Sequence, residues 1–351
     1  MNGNIKVLDC TLRDGGLGLE DFSKNDIITE TFTRSNRIEI ADCVSNSGID
    51  IVELGTVEES EMDLEKFAIY QSMKSLSQYI PRKGKEDQLY VCMFRGPDID
   101  LDRIPEHSDD LCDGIRVILR YSELRKSLDY SAALVRKGYK VFLQPMLTMR
   151  YSDDELRMLI EAANEMKAYA LYFVDSYGYM NEKDVERLFQ FYNSQLDSNI
   201  NIGFHAHNNM NLAFANARFF IEHRADRNII VDSCAMGMGQ GAGNLQTEII
   251  VNYLNSSLGK EYKFEKILEI CEILEKFCPN EMETWGYSPV RLISAIHRAA
   301  YKYAVAMRVK YNMSLVEINR LLSNMPDNMR HRYTLEDLLK LLGSKDQENH
   351  K

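Results

Sequence analysis

The chain has 351 residues, of which 45% are hydrophobic and 27% are charged, so it is long enough to bury a large core and is typical of a globular protein. The formal net charge of −11 disfavours nucleic acid or an anionic membrane as a partner, because both repel an acidic surface. We therefore expect a small-molecule substrate. The seven cysteines include no Cys-x-x-Cys pair, and no apolar run approaches about 18 residues, which favours a reducing, cytoplasmic setting without a membrane span.

Eight short apolar segments alternate with longer amphipathic segments along residues 1–258. Each short segment is apolar at nearly every position, which is typical of strands buried on both faces. A strand followed by a helix, eight times over, predicts an α/β fold of the (β/α)8 TIM barrel type. The predicted strands are residues 5–9, 51–55, 89–94, 114–120, 140–147, 170–175, 200–207 and 228–235, and the predicted helices include 36–47, 122–137, 153–167, 181–196, 209–223 and 244–258.

The alternation stops after residue 258. The segments 264–277, 289–311, 315–322 and 335–342 have helical spacing of their apolar residues. We therefore predict a barrel at 1–258 and a C-terminal helical extension at 259–351. The alternative for the first part, an open doubly wound sheet, would need a glycine-rich dinucleotide loop after the first strand, and residues 11–16 do not have that pattern.

Two histidines mark the end of the predicted seventh strand, where the catalytic groups of such barrels lie. His205 and His207 are two positions apart, so both imidazoles point to the same face of the strand. Asp14, after the first strand, could complete a set of two histidines and one carboxylate, which suits Mn²⁺, Mg²⁺, Co²⁺ or Zn²⁺. Paired histidines can also be packing residues, but the position at the strand end, before Asn208 and Asn209, favours a metal.

Arg13 and the glycine-rich segment 237–244 each allow two interpretations. Arg13 next to Asp14 could form an ordinary ion pair, or it could bind a substrate carboxylate or enolate that separates it from the metal. The glycines could make a tight turn, or they could bind an anion at the start of the following helix. The sequence leaves both choices open.

Three motifs carry a resemblance to a known superfamily. Residues 7–15 (VLDCTLRDG), 203–209 (GFHAHNN) and 237–244 (GMGQGAGN) are similar to the signatures of the DRE-TIM metallolyases. Residues 285–288 (WGYS) and 296–300 (IHRAA) resemble the helical extension of the 4-hydroxy-2-oxovalerate aldolase branch. Members of the superfamily share a TIM barrel and form an enolate at a divalent metal.

The resemblance implies a role for several residues. Asp14, His205 and His207 would be metal ligands, with Asn244 as a further ligand or close neighbour. The implied catalytic residues are Arg13, which would stabilise the enolate oxygen, and Tyr287. The predicted substrate-binding residues, most of them polar groups at strand ends, are Arg13, Glu53, Gln144, Asp175 and Ser176.

The sequence departs from the aldolase branch at one position. Those aldolases have a histidine shortly after Arg-Asp-Gly that acts as general base, whereas Leu17 or a neighbour stands here. Tyr287, Glu20, Asp21 or a metal-bound water are the candidate replacements. The strand-eight loop lacks the cysteine of the hydroxymethylglutaryl-CoA lyases. The acyl-CoA synthases usually have Gln or Glu soon after Arg-Asp-Gly, whereas residues 16–19 (GLGL) follow here.

The preferred hypothesis is a divalent-metal-dependent aldolase that cleaves a 4-hydroxy-2-oxoacid through a pyruvate enolate, with Mn²⁺ as the favoured metal. One alternative is a Claisen-type synthase that joins an acyl-CoA to a 2-oxo acid. Another is a barrel that has lost turnover and acts as a binding subunit, which the absent histidine would explain. The expected partners are a 2-oxo acid substrate, a second copy in a homodimer and an aldehyde-processing enzyme.

Overall fold

The computed structural model describes residues 4–24, 30–277 and 285–348, with side chains described up to residue 343. Eight parallel strands close into a barrel, because β1 pairs with both β8 and β2. Leu8 of β1 lies opposite Ile51 of β2, and Ile5 of β1 lies opposite Ile229 of β8. The predicted TIM barrel is confirmed. Its strands are β1 Ile5–Asp9, β2 Ile51–Val57, β3 Leu89–Phe94, β4 Gly114–Leu119, β5 Lys140–Pro145, β6 Ala170–Asp175, β7 Asn201–Ala206 and β8 Ile229–Ser233.

Helices surround the barrel and form the C-terminal extension. The short strand Ile69–Tyr70 pairs with β2 outside the barrel. The helices are α1 Thr11–Lys24, α2 Arg34–Asn46, α3 Met73–Ser77, α4 Leu124–Arg136, α5 Asp153–Met166, α6 Glu182–Asn193, α7 Ala213–Glu222, α8 Thr247–Leu258, α9 Phe264–Leu274, α10 Pro289–Ile296, α11 Tyr301–Val309, α12 Leu315–Ser323, α13 Asp327–Arg330 and α14 Leu335–Glu348.

The strand–helix alternation is less regular than predicted. Between β3 and β4, where every residue is described, the structure has only the 3-10 turn Leu101–Arg103. Pro97 and Pro105 explain this, because proline removes a backbone donor and interrupts a helix. The helix predicted at 289–311 is divided into α10 and α11, since Arg298 adopts a left-handed conformation with φ of 52°.

Helix α1 was not anticipated. It begins directly after β1, so the Arg-Asp-Gly-Gly motif is helical instead of forming a loop. Gly16 explains how α1 fits this place, because a Cβ atom there would lie 2.0 Å from the carbonyl oxygen of Phe67. The helix consequently lies against the barrel and positions Arg13 and Asp14.

Two buried apolar clusters organise the chain. The larger fills the barrel and the space beneath its outer helices, and it includes Ile267, Ile270 and Leu274 of α9. The smaller is built by α11, α12, α14 and the segments that join them. Helix α9 thus packs with the barrel although it follows residue 258, and the division between 258 and 259 stays a prediction.

The six cysteines that the structure describes are all free thiols, and Cys278 lies outside the described residues. In the described ranges, no helix has both the length and the hydropathy needed to span a membrane.

Candidate active site

A buried arginine crosses the barrel lumen beneath the strand ends. Arg116 of β4 is fully buried and pairs with Glu53 of β2 and with Asp232 of β8. Glu53 also accepts from Nε of Arg13 at 2.9 Å, and the Tyr172 hydroxyl donates to Asp232 at 3.0 Å. These contacts link the strands β2, β4, β6 and β8 and the helix α1 through a single charged network.

The network fixes the orientation of His205. Its Nδ1 lies 2.9 Å from Oδ2 of Asp232, and because a carboxylate only accepts, Nδ1 carries the proton. Its Nε2 therefore has a free lone pair, which faces Oδ2 of Asp14 at 3.5 Å. A carboxylate that orients a histidine in this way is the usual outer-shell arrangement of metal-binding imidazoles.

His207 is oriented by the backbone. Its Nδ1 donates to the carbonyl oxygen of Asp175 at 3.0 Å, which leaves Nε2 as the potential ligand. The rings of His205 and His207 are 4.9 Å apart between centroids and nearly perpendicular. Burial lowers the pKa of His205 well below its usual range and also lowers the pKa of His207. Both imidazoles are therefore neutral near pH 7, as metal ligands must be.

The donor atoms fit a divalent cation. Burial raises the pKa of Asp14, but Arg13 and the two histidines outweigh it and hold that pKa below its usual value, so the carboxylate is ionised. Its Oδ2 has no hydrogen-bond partner among the described residues, and it faces the lone pair of His205. Two acceptors in this position repel each other unless a cation lies between them. Asp14 and His205 would together hold such a cation.

The charge of the network supports the same conclusion. Arg13 and Arg116 face three carboxyl groups, those of Asp14, Glu53 and Asp232. Burial raises the pKa of Glu53 and of Asp232, and the two arginines oppose that rise. With all three groups ionised, the buried site carries one negative charge. A divalent cation would change this to one positive charge. The site would then attract a singly charged anion, because opposite charges interact strongly away from water.

Cys10 is a second neighbour of the donor atoms. Among the described residues, Cys10, Asp14 and His205 form a group whose ligand atoms all lie within 4.8 Å of one another. The thiol of Cys10 donates to the Ser233 carbonyl at 3.2 Å, and burial raises its pKa well above the usual range. It therefore stays protonated and is a poorer ligand than His207.

The glycine-rich segment brings Asn244 to the site. Its backbone closes a tight turn, with the Asn244 N–H donating to the Gly237 carbonyl at 3.0 Å. Gly243 has φ of 79°, and a Cβ atom there would lie 1.8 Å from that carbonyl oxygen, so only glycine fits. Asn244 pairs with His207 in an antiparallel bridge, and its buried Oδ1 has no partner among the described residues. These contacts support the tight-turn interpretation.

A cavity of about 200 Å³ opens beside the donor atoms. Its walls combine the charged and polar groups of the site with apolar side chains from β3 to β6. The lining residues include Arg13, Asp14, Leu17, Met93, Ile118, Gln144, Met146, Val174, Ser176, Tyr177, His205, His207, Asn209, Gln240 and Tyr301. One face can therefore bind a charged head group while the other excludes water from it.

The predicted substrate-binding residues divide into two groups. Arg13, Gln144 and Ser176 line the cavity, and Nε2 of Gln144 is a buried donor without a partner among the described residues. Glu53 lies behind the cavity between two arginines. Asp175 accepts the N–H groups of Tyr179 and Met180 at 3.0 Å each, so its carboxylate holds the following loop, and burial raises its pKa to about 7. We keep the first group as candidates for direct substrate contact.

Tyr287 is not brought to the site in this structure. Its side chain is 53% exposed, and it is absent from the cavity lining. Tyr301 of α11 lines the cavity instead. The sequence offered little to distinguish these two tyrosines, because the contact depends on how the C-terminal helices fold back over the barrel.

Arg116 and Asp232 are the functional residues that the sequence analysis missed. Each interrupts an otherwise apolar strand, in the segments GIRVIL and IIVDS. A charged residue inside a strand that is buried on both faces requires a partner, since an unpaired buried charge is very costly. That signal could have predicted their pairing.

The fold and the donor set define a TIM-barrel enzyme of the divalent-metal-dependent kind. A family model described as HMGL-like matches residues 4–274. The chain belongs to the HMGL-like family, and the predicted membership of the DRE-TIM superfamily is confirmed. It is a carbon–carbon lyase by this membership and by its relatives.

Two relatives show how far the similarity extends. The chain is 27% identical over 345 residues to the 4-hydroxy-2-oxovalerate aldolase of Carboxydothermus hydrogenoformans, covering 92% of this chain and 93% of that protein. It is 26% identical to the aldolase of the same name from Geobacillus genomosp. 3, covering 72% and 70%. The first of these similarities includes most of the C-terminal extension as well as the barrel.

Solved structures support the fold. The N-terminal domain of a candidate aldolase from Bacteroides vulgatus superposes with a TM-score of 0.67 at 22% identity, covering 89% of this chain and 99% of that chain. The carboxyl transferase domain of Rhizobium etli pyruvate carboxylase, solved with pyruvate, gives a TM-score of 0.66 at 12% identity, covering 99% and 61%. At these identities the likeness concerns the fold alone.

Replacing Arg116 with methionine should destabilise the protein strongly. The substitution leaves Glu53 and Asp232 as buried carboxylates without their cation, so we expect the free energy of unfolding to fall by about 3–5 kcal/mol. Urea denaturation measures this. Arg120→Met is the control, because Arg120 pairs with Asp98 near the surface and its loss should cost at most about 1 kcal/mol. Equal effects of the two substitutions would contradict the role of Arg116.

Replacing Asp14 with alanine should abolish stoichiometric Mn²⁺ binding. We expect the affinity to fall by more than the roughly 10–100-fold that is typical for loss of an outer-shell partner. Calorimetric titration of the protein with Mn²⁺ measures the change, and Asp98→Ala, which alters an exposed carboxylate, is the control. An unchanged Mn²⁺ affinity in the Asp14 variant would disprove the assignment of Asp14 as a ligand.

Proposed function

We propose that the protein is a divalent-metal-dependent aldolase that cleaves a 4-hydroxy-2-oxoacid to an aldehyde and pyruvate. The observation that carries this proposal is the pair of opposed acceptors, Oδ2 of Asp14 and Nε2 of His205, next to the Arg13 guanidinium. The relatives that bear the name 4-hydroxy-2-oxovalerate aldolase support the same reaction type. The proposal concerns this class of substrate.

Asp14, His205 and His207 would hold the metal, with Asn244 as a further oxygen donor beside them. A set of nitrogen and oxygen donors suits several divalent ions, and we propose Mn²⁺. When bound, the metal supplies Lewis acidity that stabilises negative charge on the 2-oxo group.

Arg13 and Gln144 would act on the substrate directly. The planar guanidinium of Arg13 can donate to the 2-oxo oxygen as negative charge develops there, and Glu53 holds it in place through Nε. The free N–H of Gln144 can bind the substrate carboxylate from the opposite wall. The C3–C4 bond then breaks, its electron pair forms the enolate, and the C4 hydroxyl proton must leave to an acceptor.

Oxaloacetate decarboxylation tests the enolate site apart from that acceptor. Loss of CO₂ produces pyruvate enolate without removal of a hydroxyl proton. With Mn²⁺ present, we expect the wild-type protein to accelerate the reaction above the rate of free Mn²⁺, and Asp14→Ala to fall back to that rate. If neither protein exceeds free Mn²⁺, the proposed function is contradicted.

Arg13→Lys should lose most of the decarboxylation rate while retaining Mn²⁺. A lysine keeps the charge but not the planar, two-donor geometry, so we expect a loss of about 10²-fold in kcat. Steady-state kinetics at saturating oxaloacetate, together with the measured Mn²⁺ content, checks this. A rate close to that of wild type would rule out the role of Arg13 in stabilising the enolate.

A further inference from the structure

The aldol reaction needs a proton acceptor, and the structure narrows the candidates. Leu17, which stands at or next to the position where the aldolase branch has its histidine, lines the cavity but cannot accept a proton. Glu20 pairs with Lys24 at 2.6 Å and with Arg95 at 2.8 Å, and it is absent from the cavity lining. Tyr287 is exposed and lies away from the cavity. Of the three side-chain candidates, Asp21 is the one joined to a residue of the cavity wall.

The residue of the cavity wall that contacts Asp21 is Tyr301. Its hydroxyl donates to Oδ2 of Asp21 at 2.8 Å, and its side chain lines the same cavity as Arg13, Asp14 and the two histidines. Asp21 lies four residues after Leu17 on α1, so the two side chains share one face of the helix. The contact thus places a carboxylate one helical turn from Leu17, with a phenol between it and the cavity.

We propose that Tyr301 and Asp21 form a proton relay that replaces the absent histidine. The relay rests on the proposed aldolase function. During cleavage, the C4 hydroxyl proton passes to the phenol oxygen of Tyr301 while the phenolic proton passes to Asp21. The electron pair of the broken O–H bond forms the aldehyde carbonyl, and the pair of the C3–C4 bond forms the enolate. Tyr301 then passes its proton to C3 of the enolate, which gives pyruvate, and Asp21 returns a proton to the phenol oxygen, so both residues end in their starting states.

The surroundings of the pair suit a relay. Burial, and after it the neighbouring Asp21, raises the pKa of Tyr301 well above its usual range. The phenol is therefore neutral and has both a proton to give and a lone pair to accept one. Lys302 donates to the other oxygen of Asp21 at 2.5 Å, which orients the carboxylate toward Tyr301.

Two reactions at the same site separate the relay from the enolate centre. Exchange of the pyruvate methyl protons in D₂O requires a proton acceptor, whereas oxaloacetate decarboxylation does not. The ratio of the two kcat values, followed by mass spectrometry and by CO₂ release with Mn²⁺ present, therefore reports on the relay. A general loss of structure would lower both rates and leave the ratio unchanged.

Tyr301→Phe and Asp21→Asn should each lower this ratio by about 10²-fold or more, the usual contribution of a positioned acid–base group. Tyr303→Phe is the matched control, because Tyr303 lies on the same helix and donates to the Arg332 carbonyl outside the cavity, so the ratio should stay within about threefold. A ratio that stays within that range in Tyr301→Phe would overturn the relay. Absence of decarboxylation by the wild-type protein would instead contradict the proposed function itself.

Discussion

The charged side chain of Arg116, fully buried in the lumen, makes two ion pairs on which the geometry of the site depends. One partner, Glu53, holds Arg13, and the other, Asp232, holds His205. A buried cation of this kind is destabilising unless its partners are well placed, so the barrel must bring β2, β4 and β8 into one register to satisfy it. The ion pairs that neutralise Arg116 in the lumen therefore also orient Arg13 and His205.

The charged network leaves one negative charge and two acceptor atoms without partners, and these determine which ligands the site can bind. The excess negative charge and the opposed lone pairs of Asp14 and His205 favour binding of a cation. A divalent cation would make the site positive and so favour binding of an anion. Arg13 and the free amide of Gln144 lie where such an anion would be bound. A 2-oxo acid fits such a site, because it carries one carboxylate and an adjacent oxygen that becomes negative in the reaction.

The sequence predicted the features that depend on local pattern. Apolar runs specified the eight strands, and the two-residue spacing of His205 and His207 specified a shared face. Arg116 and Asp232 were missed because their pairing joins residues 116 positions apart, which no local spacing reveals. Tyr301 was missed for the same reason, since its contact with Asp21 joins α11 to α1 across most of the chain. The helical state of the Arg-Asp-Gly-Gly motif was also unexpected, because two consecutive glycines ordinarily disfavour a helix.

The central claim is that Asp14, His205 and His207 bind a divalent metal at the mouth of the barrel. Anomalous diffraction from crystals soaked in Mn²⁺ locates the ion directly. The account predicts one strong anomalous peak within about 2.0–2.3 Å of Oδ2 of Asp14 and of Nε2 of each histidine. A peak at exposed carboxylates only, or His207 turned away from a peak shared by Cys10, Asp14 and His205, would contradict it.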